Sequence, residues 1–169
     1  VTVGRHHPEK RVPMLMRALS MVPKGQPVGL YIIGDGLQHA KVRKLAAGLP
    51  HVHIAGAETD RVRLARMMAR ADALLHGSTA ETFGFVVAEA LCSGTPLIVP
   101  AAGGAGDLAR PAYSETYQPG AAQDAARALV RFAVRRRKAL SHAPSAAGVP
   151  VGDIPTPSVR LFAPVSDTV

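Results

Sequence analysis

The sequence predicts an α/β domain in which helices cover both faces of a parallel sheet of about six strands. Short apolar runs alternate with segments of helical periodicity over residues 1–134. These runs are almost entirely apolar, as expected for strands that are buried on both faces. Several of them end in glycine, at the points where a strand would pass into a loop.

The elements follow one another in a regular order. The predicted strands are VTVG (1–4), VGLYIIG (28–34), HVHIAG (51–56), ALLH (73–76), PLIVP (96–100) and a short run at 113–117. Helices are predicted over residues 12–21, 37–47, 61–71, 83–93, 107–110 and 121–134. For the fourth helix, Thr82 is the expected N-cap and Gly94 the C-terminal stop. Beyond residue 134 the periodicity decays, so we expect a domain at 1–134 and a basic helix end with an irregular Pro/Ala/Ser-rich tail at 135–169.

Length and composition indicate a folded domain. A chain of 169 residues that is 47% hydrophobic is long enough to bury a core of its own. The first residues, VTVGR, read like the middle of a strand, which predicts a further portion upstream. Cys92 is the single cysteine, which excludes an intrachain disulfide and favours a cytoplasmic setting. No apolar run approaches the roughly 18 residues of a membrane span.

The formal charge of +8 suits an anionic partner of some kind. Aromatic residues make up only 4% of the chain, too few for base-stacking platforms, so no nucleic-acid partner is expected. The arginines of residues 60–70 are interpreted as a solvated surface. The basic cluster at 135–138 could contact an anionic membrane, but the end of a solvated helix explains it better.

Ligands of open parallel sheets bind beyond the carboxyl ends of the strands. Four glycine-containing loops are expected at that edge: GRHHPEKR, GDG, HGSTAETFG and AAGGAGDL. Glycine allows close backbone approach and helix N-termini favour anions, so the edge suits phosphate, with Arg5 and Lys10 adding charge. Neither G-x-G-x-x-G nor G-x-x-x-x-G-K-[ST] is present.

Two carboxylates bracket the apolar stretch ETFGFVVAE. If both were helical, Glu81 and Glu89 would lie about 80° apart around the axis. We therefore expect Glu81 in the loop and Glu89 in the second turn, among apolar neighbours. Two interpretations stay open: the carboxylates accept hydrogen bonds from a hydroxylated ligand, or Glu89 pairs with an arginine inside the fold.

Histidine and cysteine give no predicted metal site. His51 and His53 share one face of a strand, but no third ligand is evident, so they are interpreted as ordinary strand residues. His6 and His7 either line the first loop's site or face solvent. Cys92 is expected to pack in the helix core.

Four segments in order, GRHHPEK, IIGDG, ETFGFVVAE and SGTPLIVPAAGGAGDL, resemble the motifs of the retaining glycosyltransferases of the GT-B fold, family 4. The similarity covers residues 1–131 or so and includes the family's E-x7-E motif. The resemblance implies a Rossmann-like domain, one half of a GT-B fold, that binds a nucleotide-diphosphate sugar. It also implies an N-terminal acceptor-binding domain, retention of anomeric configuration, and neither metal nor cofactor.

The resemblance also assigns roles to individual residues. Arg5 and Lys10 would hold the diphosphate, and with Glu81, which would bind sugar hydroxyls, they form the expected catalytic set. Glu89 would hold the ribose. The remaining expected donor-binding residues are Gly4, Gly34, Asp35, Gly36, Gly56, Ala57, Thr82, Phe83, Gly84, Phe85, Gly103 and Gly104. Within that set, the amides of residues 83–85 would meet sugar and phosphate, and Gly56 and Ala57 would approach the base.

Some positions depart from the family pattern. Arg11 stands where a glycine is frequent, His76 and Gly77 replace a Pro-Ser pair, and Asp107 replaces a glutamate. These variants look most similar to mannosyltransferase-like members, and the donor is expected to be GDP-mannose or a UDP-hexose. The alternatives are a related nucleotide-sugar epimerase or phosphorylase, or a non-catalytic module that binds nucleotides or polyanions.

Overall fold

The computed structural model describes residues 1–80 and 84–141. Its strands are β1 (Thr2–Val3), β2 (Leu30–Ile33), β3 (Val52–Gly56), β4 (Leu74–Leu75), β5 (Leu97–Pro100) and β6 (Ser114–Tyr117). Its helices are α1 (Val12–Ser20), α2 (His39–Ala46), α3 (Arg61–Ala69), α4 (Phe85–Cys92), α5 (Gly103–Asp107) and α6 (Ala122–Ser141), with a 3₁₀ turn at Pro8–Lys10. The predicted alternation of strands and helices is confirmed.

The strands form two three-stranded parallel sheets, ordered β1-β2-β3 and β4-β5-β6. Val1 joins them: its carbonyl accepts from the Leu75 amide at 2.7 Å, and its nitrogen donates to the Ala73 carbonyl at 2.8 Å. In a parallel pair of strands, a residue of one strand bonds two residues of the other that are two positions apart, as Val1 does with Ala73 and Leu75. The sheets thus adjoin in the order β3-β2-β1-β4-β5-β6, which is that of a doubly wound Rossmann-like domain.

Helices cover both faces, as the apolar strands predicted. Leu74 and Leu97 pack in one core cluster with residues of α3, α4 and α5, whereas the next residues along the strands, Leu75 and Ile98, pack in another with α1, α2 and α6. Because successive strand side chains point to opposite faces, the two clusters lie on opposite sides of the sheet. Full burial of each such leucine stabilises the fold by about 1.5–3 kcal/mol.

Three predicted helix bounds were wrong. The helix placed at 107–110 instead spans Gly103–Asp107, because the glycine-rich segment itself adopts helical geometry directly after β5. The helix placed from residue 83 begins at Phe85, since Gly84 is its N-cap in a left-handed conformation (φ 72°). The last helix runs past residue 134 to Ser141, so the basic residues 135–138 lie within it. The division of the chain at 134 stays a prediction.

Within the described residues, no helix combines the length and the apolar character needed to cross a membrane. The longest helix, α6, has 20 residues but carries several arginines.

Candidate functional site

The candidate site lies where the strand order reverses, at the carboxyl ends of β1 and β4. From β1 the chain proceeds outward to β2 and β3, whereas from β4 it proceeds to β5 and β6 on the other side. A crevice forms at such a point in open α/β sheets because successive connections leave in opposite directions. The loops that follow β1 and β4 are two of the four glycine-containing loops predicted to bind the ligand.

The first and second loops are in direct backbone contact. A Cβ added to Gly34 would lie 1.9 Å from the Gly4 carbonyl oxygen, and Gly34 has φ +147°, so this position requires glycine. The Gly4 amide donates to the Ile33 carbonyl at 3.0 Å, and the His6 amide donates to the Asp35 carbonyl at 2.7 Å. Gly4, Gly34, Asp35 and Gly36 are therefore brought together at the sheet edge.

The first loop also contacts the third. A Cβ on Gly77 would lie 2.7 Å from the Lys10 carbonyl oxygen. Gly4, Lys10 and His76 line one small cavity of about 10 Å³ next to β1 and β2. Behind it, the buried Tyr117 hydroxyl donates to the His76 carbonyl. Burial raises the pKa of the Tyr117 phenol, which keeps this donor protonated.

The fourth loop closes against the third. A Cβ on Gly103 would lie 2.7 Å from the Thr79 carbonyl oxygen, and Gly103 has φ +68°. Gly103 begins α5, and Gly104 behind it is buried. The four predicted loops thus meet at one edge of the sheet.

Two cationic side chains, Arg5 and Lys10, lie at this edge. The Arg5 side chain is 80% exposed and its Nη2 lies 3.7 Å from Glu9 Oε1. Such an exposed pair contributes little, about 0–1 kcal/mol, so Arg5 can exchange Glu9 for a more highly charged ligand. The stem of Lys10 lies close to Gly4, at 3.7 Å from the position of an added Cβ. The Lys10 side chain thus runs beside the backbone of Gly4.

The predicted donor contacts of Glu81, Thr82 and Phe83 lie outside the described residues, as does the proposed Thr82 N-cap. Of the neighbouring amides, those of Gly84 and Phe85 belong to the start of α4, where the first amides of a helix have no intrahelical acceptor. The Phe85 side chain is exposed.

Glu89 is not buried among apolar side chains, contrary to the expectation. Its side chain is 42% exposed, and its Oε1 lies 3.3 Å from Nη1 of Arg61 on α3. The reason is helical geometry, since Val87 and Ala90 face the core and Glu89 points elsewhere. Pairing with an arginine was one of the two interpretations left open. The exposure also leaves the carboxylate accessible to a ligand.

Gly56 and Ala57 lie farther along the same edge, at the end of β3. The Gly56 carbonyl accepts from the Gly34 amide at 2.6 Å, which ties this strand end to the second loop. Ala57 is exposed.

The prediction for Cys92 was wrong, and the structure explains two further positions, Arg11 and His53. Cys92 is exposed rather than packed in the core, because it lies at the end of α4 away from the face of Val87 and Ala90. Arg11 adopts φ 51°, a left-handed conformation, which explains why glycine would suit the position after Lys10. His53 stacks on Tyr31 with ring centroids 4.6 Å apart, as an ordinary strand residue can.

His6, Asp35 and His39 form a cluster that was not predicted from the sequence. His6 is 1% exposed, whereas His7 is exposed. Burial lowers the pKa of the His6 imidazole, His39 lowers it further, and Asp35 opposes them. Asp35 and His39 are close in sequence, and the first two loops were expected to adjoin, which is the signal that could have revealed this cluster.

The chain is similar in sequence to known glycosyltransferases. The family described as "Glycosyl transferases group 1" matches residues 1–145. A GDP-mannose-dependent alpha-mannosyltransferase of Mycobacterium tuberculosis (strain CDC 1551 / Oshkosh) is 40% identical over 109 residues, which are 64% of this chain and 27% of that protein. The sulfoquinovosyl transferase SQD2 of Arabidopsis thaliana is 32% identical over 108 residues, 64% of this chain and 20% of that protein.

Solved structures share the fold. The lipopolysaccharide outer core galactosyltransferase WaaB superposes with a TM-score of 0.70 at 29% identity, over 80% of this chain and 40% of that one. Anabaena Alr3699/HepE, in complex with UDP, superposes with a TM-score of 0.66 at 28% identity, over 81% and 40% of the two chains. This chain therefore corresponds to one half of a GT-B fold, and it spans about a quarter of the curated relatives' length.

The match along most of the described residues, with the four loops assembled at the switch point, leads to one conclusion: this chain belongs to the glycosyl transferases group 1 family.

Proposed function

We propose that this chain is the donor-binding domain of a retaining hexosyltransferase that uses a nucleoside-diphosphate sugar. The observation that carries the proposal is the meeting of four glycine-containing loops at the strand-order reversal, with Arg5 and Lys10 on the first of them. The close packing of these loops brings backbone amides and the two cations to one edge of the sheet. A diphosphate suits such an edge, because amides and cations together satisfy its oxygens.

Arg5 and Lys10 are proposed to hold the diphosphate and to stabilise the negative charge that develops as it leaves the sugar. Within residues 1–80 and 84–141, Arg5 pairs with the exposed Glu9 across 3.7 Å, a weak contact against which a diphosphate competes effectively. Preorganised positive charge at the leaving group is the largest single contribution in many such reactions. No metal is proposed in the transfer step, since the two side chains can supply this charge.

Glu89 is proposed to hold the ribose, and Glu81 to bind hydroxyls of the donor sugar. Glu89 is exposed enough to accept hydrogen bonds from a diol while it stays paired with Arg61. Gly56 and Ala57 are proposed to approach the base, because they lie at the same edge beyond the second loop. The acceptor is proposed to bind to a second domain that precedes this one, so this chain by itself binds donor weakly and transfers nothing.

GDP-mannose is the donor that we propose first. Two curated relatives, at 40% and 37% identity, are named GDP-mannose-dependent alpha-mannosyltransferases. A UDP-hexose is the second candidate, favoured by the structural likeness to HepE in complex with UDP-glucose at 28% identity.

Calorimetric titration of GDP-mannose, UDP-glucose and ADP-glucose tests the proposal. We expect saturable binding of one donor, weakened about 10- to 100-fold by Glu89→Gln, which is the effect of losing one hydrogen bond to a charged group. Glu115→Gln is the matched control, because Glu115 also pairs with an arginine, Arg131, but lies on the edge strand β6. This control should leave the affinity unchanged.

Three kinds of result would contradict the proposal or a part of it. Salt-sensitive binding of duplex DNA with no donor preference would indicate a polyanion-binding module. Conversion of the bound donor to its epimer, or phosphorolysis by the isolated chain, would indicate one of the alternative enzyme classes. Sugar transfer by the isolated chain would contradict the proposed need for a second domain.

A further inference from the structure

His6, Asp35 and His39 bring three potential metal ligands together where the first two loops meet. The Nδ1 atom of His39 lies 3.1 Å from Nδ1 of His6 and 3.1 Å from Oδ1 of Asp35. One ligand atom from each residue lies within 4.8 Å of the other two. Among residues 1–80 and 84–141, this is the single group of at least three such side chains at that spacing.

We propose that these three side chains bind a divalent transition metal, and that Zn²⁺ fits them best. Bonds of about 2.0–2.1 Å in a tetrahedral zinc site place neighbouring ligand atoms about 3.3 Å apart. The two 3.1 Å separations are within about 0.2 Å of that value. Two imidazoles and one carboxylate suit zinc and other late first-row transition metals, whereas Mg²⁺ and Ca²⁺ prefer oxygen ligands. A water molecule would complete the four-coordinate site.

The backbone around the cluster is already held in place. The His6 amide donates to the Asp35 carbonyl, and the Gln38 amide donates to the His6 carbonyl, both at 2.7 Å. Asp35 lies in the second loop, four residues before His39 at the start of α2, and its Oδ1 lies 3.1 Å from His39 Nδ1. The ligands would therefore lose little conformational freedom on binding a metal.

The cluster is also accessible from one side. His6 is buried, but the side chain of His39 is 26% exposed and that of Asp35 is 60% exposed. A hydrated ion can thus reach the Asp35 oxygen first and then exchange water for the two imidazoles. The carboxylate supplies the one negative charge of the set, which favours a cation over a neutral ligand.

A shared proton is the metal-free alternative for the same distances. A hydrogen on one Nδ1 atom could be donated to the other at 3.1 Å, with Asp35 as a neighbouring acceptor. This arrangement would also hold the first loop on α2, but it would give no metal dependence. The dependence of stability on added metal therefore distinguishes a metal site from a shared proton.

The metal would connect the first loop to the second helix and so limit the motion of the backbone beside Arg5. It would lie next to the proposed diphosphate site without taking part in sugar transfer. Metal binding at this cluster does not depend on whether the chain binds a nucleotide sugar.

Thermal unfolding with added metal tests the inference, using tag-free protein in the Cys92→Ser background, since Cys92 is exposed and could bind zinc itself. Zinc at about one hundred times its Kd should raise Tm by roughly 5–10 °C. Mg²⁺ at the same concentration should leave Tm unchanged. Co²⁺ should produce the strong visible absorption that is typical of four-coordinate cobalt.

Variants assign the ligands. His39→Ala and Asp35→Asn should each remove the zinc-dependent shift while the metal-free proteins remain folded by circular dichroism. His7→Ala is the matched control, because His7 lies in the same loop but outside the cluster, and it should keep the full shift. A shift that is absent, that is equal for Mg²⁺, or that survives both ligand substitutions overturns the inference.

Discussion

Gly34→Ala provides a quantitative test of how the first two loops are assembled. A new Cβ at Gly34 would lie 1.9 Å from the Gly4 carbonyl oxygen, and real Cβ contacts essentially never fall below 3.0 Å. The difference, 3.0 minus 1.9, means that the two backbones must separate by about 1.1 Å. That displacement acts on the hydrogen bonds from Gly4 to Ile33 and from Gly34 to Gly56.

The expected cost has two parts. Backbone strain at φ +147° contributes about 1–3 kcal/mol, and the steric overlap about 1–3 kcal/mol more. Reduced freedom of the unfolded chain offsets about 0.4–1 kcal/mol of this sum. The overlap is the part that reports on loop assembly, so it has to be separated from the strain.

Two glycines provide matched controls for the Gly34→Ala variant. Gly25 has φ +89° and no atom within 4 Å of an added Cβ, so Gly25→Ala has backbone strain alone. Gly36 has φ +142° and a nearest contact of 3.1 Å, to the His6 nitrogen, so Gly36→Ala should fall between the other two. Urea unfolding followed by circular dichroism should give the order of stability loss Gly34 > Gly36 > Gly25. Neutral surface substitutions scatter by roughly 0.5 kcal/mol in the free energy of unfolding. If the losses for Gly34→Ala and Gly25→Ala differ by less than that, the contact between Gly34 and Gly4 is wrong.

Two further substitutions test the supports of the site. Tyr117→Phe removes the buried donor to the His76 carbonyl and should lower the free energy of unfolding by about 1–3 kcal/mol. The control is Tyr113→Phe, which should cost under about 0.5 kcal/mol because the Tyr113 hydroxyl donates to the Leu108 carbonyl at the surface. Equal losses in the two variants would refute a special role for the buried bond. The Asp124 carboxylate, in the first turn of α6, accepts a hydrogen bond of 2.6 Å from the Gln118 amide. This bond, with a smaller contribution from Arg127, holds the pKa of the carboxyl below its ordinary value of 3.8. Its stabilisation is therefore fully present above that ordinary pKa and is lost as pH falls through the lower folded-state pKa. Asp124→Asn should cost about 1 kcal/mol at pH 7 and flatten the acid limb of a stability-against-pH curve, and an unchanged acid limb would contradict this assignment.

The order of the elements could be predicted because it depends on local patterns. Apolar runs such as residues 30–33 and 97–100 are too short and too uniformly apolar for surface helices, and the glycines after β1 and β2 indicate tight turns. The predicted helix at 107–110 failed because glycine-rich sequence has low helix propensity, yet α5 forms where Gly104 and Ala105 are buried against the sheet. Local propensity was outweighed there by packing.

The sequence by itself determined that strands and helices alternate, that glycine-containing loops follow the strands, and that Arg5 and Lys10 lie in the first of these loops. The tertiary structure alone decided that Gly34 abuts Gly4, that Glu89 pairs with Arg61 instead of being buried, and that His6 meets His39. The physical reason is the range of the interactions. Periodicity and turn chemistry act over a few neighbouring residues, whereas these contacts join residues 28 to 33 positions apart and depend on how the helices pack on the sheet.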